Sequence, residues 1–224
     1  MFKINKEALG LKKDFFLNNI HGIALDIDET LSSTNRTFFE AVLNKFGDPE
    51  KLGLDGMLLK YKISHDVPYW QVEEVQEYLK FIRRDDETQF SISPIPGAKE
   101  AVEEIAKHIH CVCYITARPE TVRVATEKWL KKHGFPSAPL VMRPHEVDDK
   151  HIQTWKGVVL EYLYPNVMGI IDDNHSFSKT LSPEYNGILF YYGSKEKPDI
   201  HMQTIVCPTW HDVIKEVKKY AKQN

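Results

Sequence analysis

Short apolar runs at residues 23–25, 111–115, 139–142, 167–171 and 188–192 are separated by segments of helical spacing. Strands that alternate with helices assemble into a parallel sheet with helices packed on its faces. The expected fold class is therefore α/β, a Rossmann-like parallel sheet flanked by helices. An amphipathic helix over residues 5–18 should precede the first strand. Val102, Ile105 and Ile109 mark a helix before the second strand. Pro119 suits the first turn of the next helix, which stops before Gly134. A helix over residues 154–163 leads into the fourth strand, and another closes the chain from Trp210.

Residues 32–92 break this rhythm, because they are far too many for a βα connection. Their pattern is mostly helical. Thr37 with Glu40 reads as a capping box for a helix carrying Phe39, Val42, Leu43 and Phe46, with Gly47 as its stop. A second helix starts near Pro68 and carries Val72, Val75, Leu79 and Ile82. Ser93-Pro94-Ile95-Pro96-Gly97 then punctuates the return. The expected organisation is a core of residues 1–31 and 93–224, with a helical cap of residues 32–92 inserted after strand one.

The 224 residues, 42% of them hydrophobic, suffice for such a core. A formal net charge of −3 gives no electrostatic case for nucleic acid. The clusters Lys128-Lys131-Lys132 and Lys215-Lys218-Lys219 read as solvated helix faces. No apolar stretch approaches a membrane span, and the charged start (Lys3, Lys6, Lys12, Lys13, Asp14) holds no signal-type segment. A cytoplasmic location is expected. Cys111, Cys113 and Cys207 cannot all pair with one another. Cys111 and Cys113 share a strand and should point to one side as buried thiols.

The ends of the strands carry the chemistry. Asp26 and Asp28 follow the first strand, Thr116 the second and Asp172-Asp173 the fourth, while Lys156 lies near the start of the helix before the fourth. The carboxyl ends of parallel strands lie on one edge, where open α/β sheets bind ligands. Acids as close as Asp26 and Asp28 repel unless a cation or a shared proton relieves them. Plainer readings exist for each residue. Asp28 or Thr116 suits a helix cap, Asp172-Asp173 suits a turn, and a lone lysine is usually at the surface, with Lys150 as the rival to Lys156. Arg118 suits either a phosphate contact or a pairing with a core acid. Phe38, Tyr61, Tyr69 and Trp70 in the inserted segment read as core aromatics rather than a stacking platform.

Four segments in order resemble the motifs of the haloacid dehalogenase superfamily of phosphohydrolases. They are Asp26-Ile27-Asp28-Glu29-Thr30-Leu31, then Ile115-Thr116-Ala117-Arg118-Pro119, then Lys156, then Ile171-Asp172-Asp173-Asn174. The resemblance covers about two thirds of the chain and leaves the cap unread. It implies a magnesium-dependent phosphatase with Asp26 as nucleophile and Asp28 as general acid and base. Asp26, the Asp28 backbone carbonyl, Asp172 and Asp173 would hold Mg²⁺, with the direct ligand of the doublet left open. Thr116, Lys156 and the N–H groups of Ala117 and Arg118, taken to open a helix, would bind the phosphate. The second acid, Asp28, favours phosphate over carbon–halogen chemistry. The implied partner is a small phosphorylated metabolite, with a nucleoside monophosphate as first expectation. A phosphatase acting on nucleic-acid ends, a phosphotransferase of the same family and a non-catalytic binding module are the alternatives.

Overall fold

The computed structural model describes residues 4–223; residues 1–3 and 224, at the outer ends of the expected core segments, lie outside it. Strands β1 (Gly22–Leu25), β2 (Cys111–Pro119), β3 (Leu140–Arg143), β4 (Val167–Asp172), β5 (Ile188–Tyr192) and β6 (Gln203–Cys207) form one sheet. Their order is β3-β2-β1-β4-β5-β6, and every neighbouring pair is parallel. The chain winds outward from β1 in one direction to β3 and in the other to β6. The end of β1 is thus the switch point beside which a crevice opens.

The helices are α1 (Lys6–Leu17), α2 (Thr34–Phe46), α3 (Gly53–Lys60), α4 (Glu73–Ile82), α5 (Asp86–Ser91), α6 (Ala98–Ile105), α7 (Arg123–Lys132), α8 (Ile152–Leu163) and α9 (Trp210–Ala221). Among the described residues, none is long and apolar enough to cross a membrane. Residues of α1 and α8 pack on one face of the sheet, and residues of α6, α7 and α9 on the other. Along β1, Ile23 and Leu25 join the α6/α7/α9 layer and Ala24 the α1/α8 layer. Strand alternation then turns Asp26 toward α8.

Helices α2 to α4 bury Phe39, Val42, Met57, Trp70, Leu79 and Ile82 in an apolar cluster of their own. Phe39 meets Trp70 edge-on at 4.8 Å between ring centroids. By contrast, α5 packs on α7.

Several elements depart from the sequence expectation for identifiable reasons. Helix α2 opens at Thr34 rather than at a Thr37 capping box, and the Thr37 hydroxyl instead donates to the Ser33 carbonyl at 3.3 Å. The helix start is served from outside, because Glu29 accepts the Asn35 N–H at 2.6 Å. Pro68 opens only a 3₁₀ turn, and α4 starts after an exposed Val72. Helix α7 starts at Arg123, not at Pro119, because β2 continues to Pro119 beside Arg143. Arg143 Nε holds that extension by donating to the Ala117 carbonyl at 3.1 Å. The pairing of β2 with β1 slips in register between Ile23 and Ala24. Cys111 therefore packs against one layer and Cys113 within the other, rather than on a single side. All three cysteines are free.

Gly157 of α8 has no room for a side chain. A Cβ there would overlap the Thr180 hydroxyl and come within 2.5 Å of the Phe177 backbone oxygen. Gly157→Ala is expected to lower stability by about 2–3 kcal/mol, since overpacking must push backbone aside. Chemical denaturation would read this directly, and an unchanged midpoint would refute the close approach.

Candidate active site

The sheet edge at β1 and β4 gathers four of the expected residues. Asp26 is 4% exposed, and its N–H extends the pairing of β1 with β4 by donating to the Ile171 carbonyl at 3.0 Å. Lys156, one turn into α8 and 2% exposed, sets its Nζ 2.5 Å from Asp26 Oδ1 and 2.6 Å from Asp172 Oδ2. Lys150 is exposed. Asp26, Asp172 and Asp173 each offer an oxygen, and these oxygens lie within 4.8 Å of one another.

Second contacts fix these acids. The Asn174 N–H donates to Asp172 Oδ1 at 2.9 Å. The Asp173 N–H donates to Thr30 Oγ1 at 3.1 Å, and the Thr30 hydroxyl donates to Asp173 Oδ1 at 3.4 Å. Thr30 thus ties the loop after β1 to the loop after β4.

The electrostatics follow from crowding. Burial, opposed by Lys156 and assisted by Asp172 and Asp28, pushes Asp26 up to about 7. Burial also raises Asp172 against the pull of Lys156. Burial and then the charges of Asp172 and Asp26 raise Asp173 well above the usual carboxylate range. Burial works to lower Lys156, yet Asp172 and Asp26 outweigh it and hold the ammonium above the ordinary lysine range. Three carboxylates against one ammonium leave a surplus of two negative charges in a buried space. An all-oxygen donor set with that surplus fits a divalent cation such as magnesium.

Asp28 belongs to a second group. Arg118 Nε donates to Asp28 Oδ1 at 2.9 Å and Arg118 Nη2 to Ser32 Oγ at 3.0 Å. The Thr34 hydroxyl donates to the same Asp28 oxygen at 2.6 Å. Arg118 is itself braced by the Trp129 ring, 5.5 Å from the guanidinium carbon. Burial opposes charge on Asp28, but Arg118, Thr34 and Ser32 together hold its carboxyl below the usual range. Glu29, next in the chain, takes a left-handed conformation (φ 58°) that turns the loop back toward α2.

Thr116 is fully buried, and its Oγ1 accepts the Arg118 N–H at 3.2 Å. The N–H groups of Ala117 and Arg118 lie in the extension of β2 and do not open a helix, so the expected helix-terminus anion site is absent there. Arg118 commits two of its nitrogens to Asp28 and Ser32, so it does pair with a core acid.

Sequence reasoning gave no role to Thr30, quoted only within the first motif, and passed over Ser32 and Thr34. Their only signal was a run of hydroxyl residues, Thr30 to Thr34 with one leucine between, directly after two acids.

A family model described as PITM 1-3, LNS2 domain matches residues 80–179. A protein of Bacillus cereus described as "Putative nucleotidase" is 32% identical over 111 residues, which is 50% of this chain and 58% of that protein. A second "Putative nucleotidase", from Oceanobacillus iheyensis, is 27% identical over 130 residues, 58% of this chain and 64% of that one. The chain thus spans less than two thirds of the length of these curated relatives. Among solved structures, a HAD-superfamily hydrolase from Ehrlichia chaffeensis superposes with a TM-score of 0.50 at 15% identity, covering 88% of this chain and 96% of that one. The chain shares the fold of that hydrolase.

Proposed function

We propose that this chain is a magnesium-dependent phosphatase that hydrolyses a small phosphate monoester through an aspartyl-phosphate on Asp26. The observation that carries the reading is the buried ammonium of Lys156 held between Asp26 and Asp172, with Asp173 within reach of the same point. A carboxylate so placed has an ammonium beside it to offset part of the charge it must carry as a nucleophile.

In the first half-reaction an Asp26 oxygen bonds to phosphorus as the bond to the leaving oxygen breaks. Asp28 gives that oxygen its proton. In the second, Asp28 takes a proton from water as the water oxygen bonds to phosphorus and Asp26 is released. Arg118 and Thr34 favour the ionised Asp28 that the second half needs. Lys156 offsets negative charge on the transferring group, and the Thr116 hydroxyl, whose oxygen already accepts the Arg118 N–H, is left to donate to a phosphoryl oxygen. Asp26, Asp172, Asp173 and the Asp28 backbone carbonyl would hold magnesium, which when bound would supply the charge neutralisation that an anion attacking a phosphate dianion needs. Residues 32–92 act as the cap over this edge. Nucleoside monophosphates are the substrate class, in keeping with the names of the curated relatives.

A screen of phosphorylated metabolites with magnesium present tests the reading. Excess chelator is expected to stop turnover, and added magnesium to restore it; full activity in chelator would refute the metal site. Stability supplies an independent readout. A carboxyl raised on folding from 3.8 to about 7 takes up a proton on folding, as Asp26 does. The metal-free chain is therefore stabilised at low pH, and that margin is lost as pH rises from about 4 through 7. Thermal unfolding of the metal-free protein should fall over that range, and magnesium should raise the midpoint more at pH 8 than at pH 5.

A further inference from the structure

A cavity of about 340 Å³ opens at the seam between the inserted helices and the sheet edge. Asp28 and Arg118 line it from the core, with Gln153 at the start of α8. Phe38, Ile63 and Gln89 line it from the inserted segment. If Asp28 protonates the leaving oxygen, the leaving group lies in this cavity. The larger opening beside Glu29, Asp173 and His175 flanks the metal acids instead. The inference therefore rests on the phosphatase reading above.

The walls carry polar atoms that the protein does not use. Gln89 is 2% exposed, and its Nε2 donates to the Ile82 carbonyl at 3.2 Å. That bond fixes which way the amide faces and leaves Gln89 Oε1 buried without a partner. Gln153 Oε1 is buried and unpartnered as well, and so is Arg118 Nη1. A buried acceptor without a donor is costly, and buried polar groups in folded proteins are as a rule satisfied. Two such acceptors and one such donor around a cavity walled by Phe38 and Ile63 describe a ligand with hydrogen-bonding edges and an apolar face.

We infer that this cavity is the leaving-group subsite and that it takes a nucleoside, with Gln89 and Gln153 accepting N–H or O–H donors of the nucleoside. Phe38 and Ile63 cover the face of the base, and Arg118 Nη1 donates to an acceptor on the same group. The volume lies near the lower end of small-ligand sites, which suits one nucleoside and not a polymer. Gln89 comes from α5, the inserted helix that packs on α7, so specificity is set by a residue anchored to the core. It is a specificity residue and takes no part in the phosphoryl transfer itself.

The test compares kcat/KM for nucleoside monophosphates with that for p-nitrophenyl phosphate, whose leaving group has no donor to offer the two glutamines. Measurements are made with magnesium on the wild type, Gln89→Leu and Gln153→Leu. The ratio of nucleotide to aryl phosphate kcat/KM is expected to fall at least tenfold in either variant. A general structural defect would lower both substrates together and leave the ratio in place. Should Gln89→Leu fail to fold, Gln153→Leu carries the decision, because that side chain is only half-buried. A ratio unmoved in the folded variants of an active enzyme overturns the subsite, as does a wild type that turns over aryl phosphate but no nucleotide. A wild type inert toward every phosphate monoester overturns the phosphatase reading, and the subsite with it.

Discussion

Asp26→Asn is expected to abolish hydrolysis of an aryl phosphate, by roughly 10⁴-fold or more, while the protein stays folded. An amide oxygen does not displace a leaving group from phosphorus, so no covalent intermediate forms. The fold should tolerate the change for a physical reason. Asparagine keeps an oxygen for Lys156 Nζ and removes one of three mutually repelling carboxylates, while Asp172 continues to pair with the ammonium at 2.6 Å. The unfolding midpoint of the metal-free variant should equal or exceed that of the wild type. Turnover at the wild-type rate would end the assignment of Asp26 as nucleophile. A variant that is inactive because it is unfolded would contradict the account of the charges around it.

Lys156→Met is expected to produce the largest stability loss among these changes. The side chain is 2% exposed and is the positive partner of two buried acids. Removing one member of a buried ion pair leaves the other charge uncompensated, at a cost of about 3–5 kcal/mol. Methionine fills a similar volume, so the loss reports charge and not a cavity. Denaturant titration of the metal-free protein reads this, and a wild-type midpoint would refute the electrostatic role. The variant should also recover more stability than the wild type when a divalent cation is added. The acids then lack their internal counter-charge, and a ligand stabilises the state that binds it. Turnover should collapse regardless of that recovery.

How much of this was legible before the structure depends on which interactions set each feature. The alternation of apolar runs with helical spacing fixed the parallel sheet, because burial on both faces leaves a continuous apolar run in the sequence. β6 escaped notice because Gln203 and Thr204 open an edge strand whose pattern is mixed. Helices α3 and α5 are short, with too few periodic positions to register. The acids at the strand ends were readable since topology alone brings them to one edge. Lys156 was preferred over Lys150 on position, and the structure places it against Asp26 and Asp172. The pairing of Arg118 with Asp28 was left open, as it depends on β2 continuing past Thr116 and on a contact across 90 residues. Gln89 gave no signal at all, because an orphaned acceptor exists only once its neighbours are in place.

The reciprocal bonds between Thr30 and Asp173 have a consequence for ion choice. They tie the two loops together without the help of an ion, so at the proposed metal site the span across the acids would be set by the polypeptide. A rigid, narrow bite rewards a small ion with strict octahedral demands and penalises a larger one that prefers many pliant ligands. Cutting the clamp with Thr30→Val would let the jaws adapt, and discrimination between magnesium and calcium would narrow.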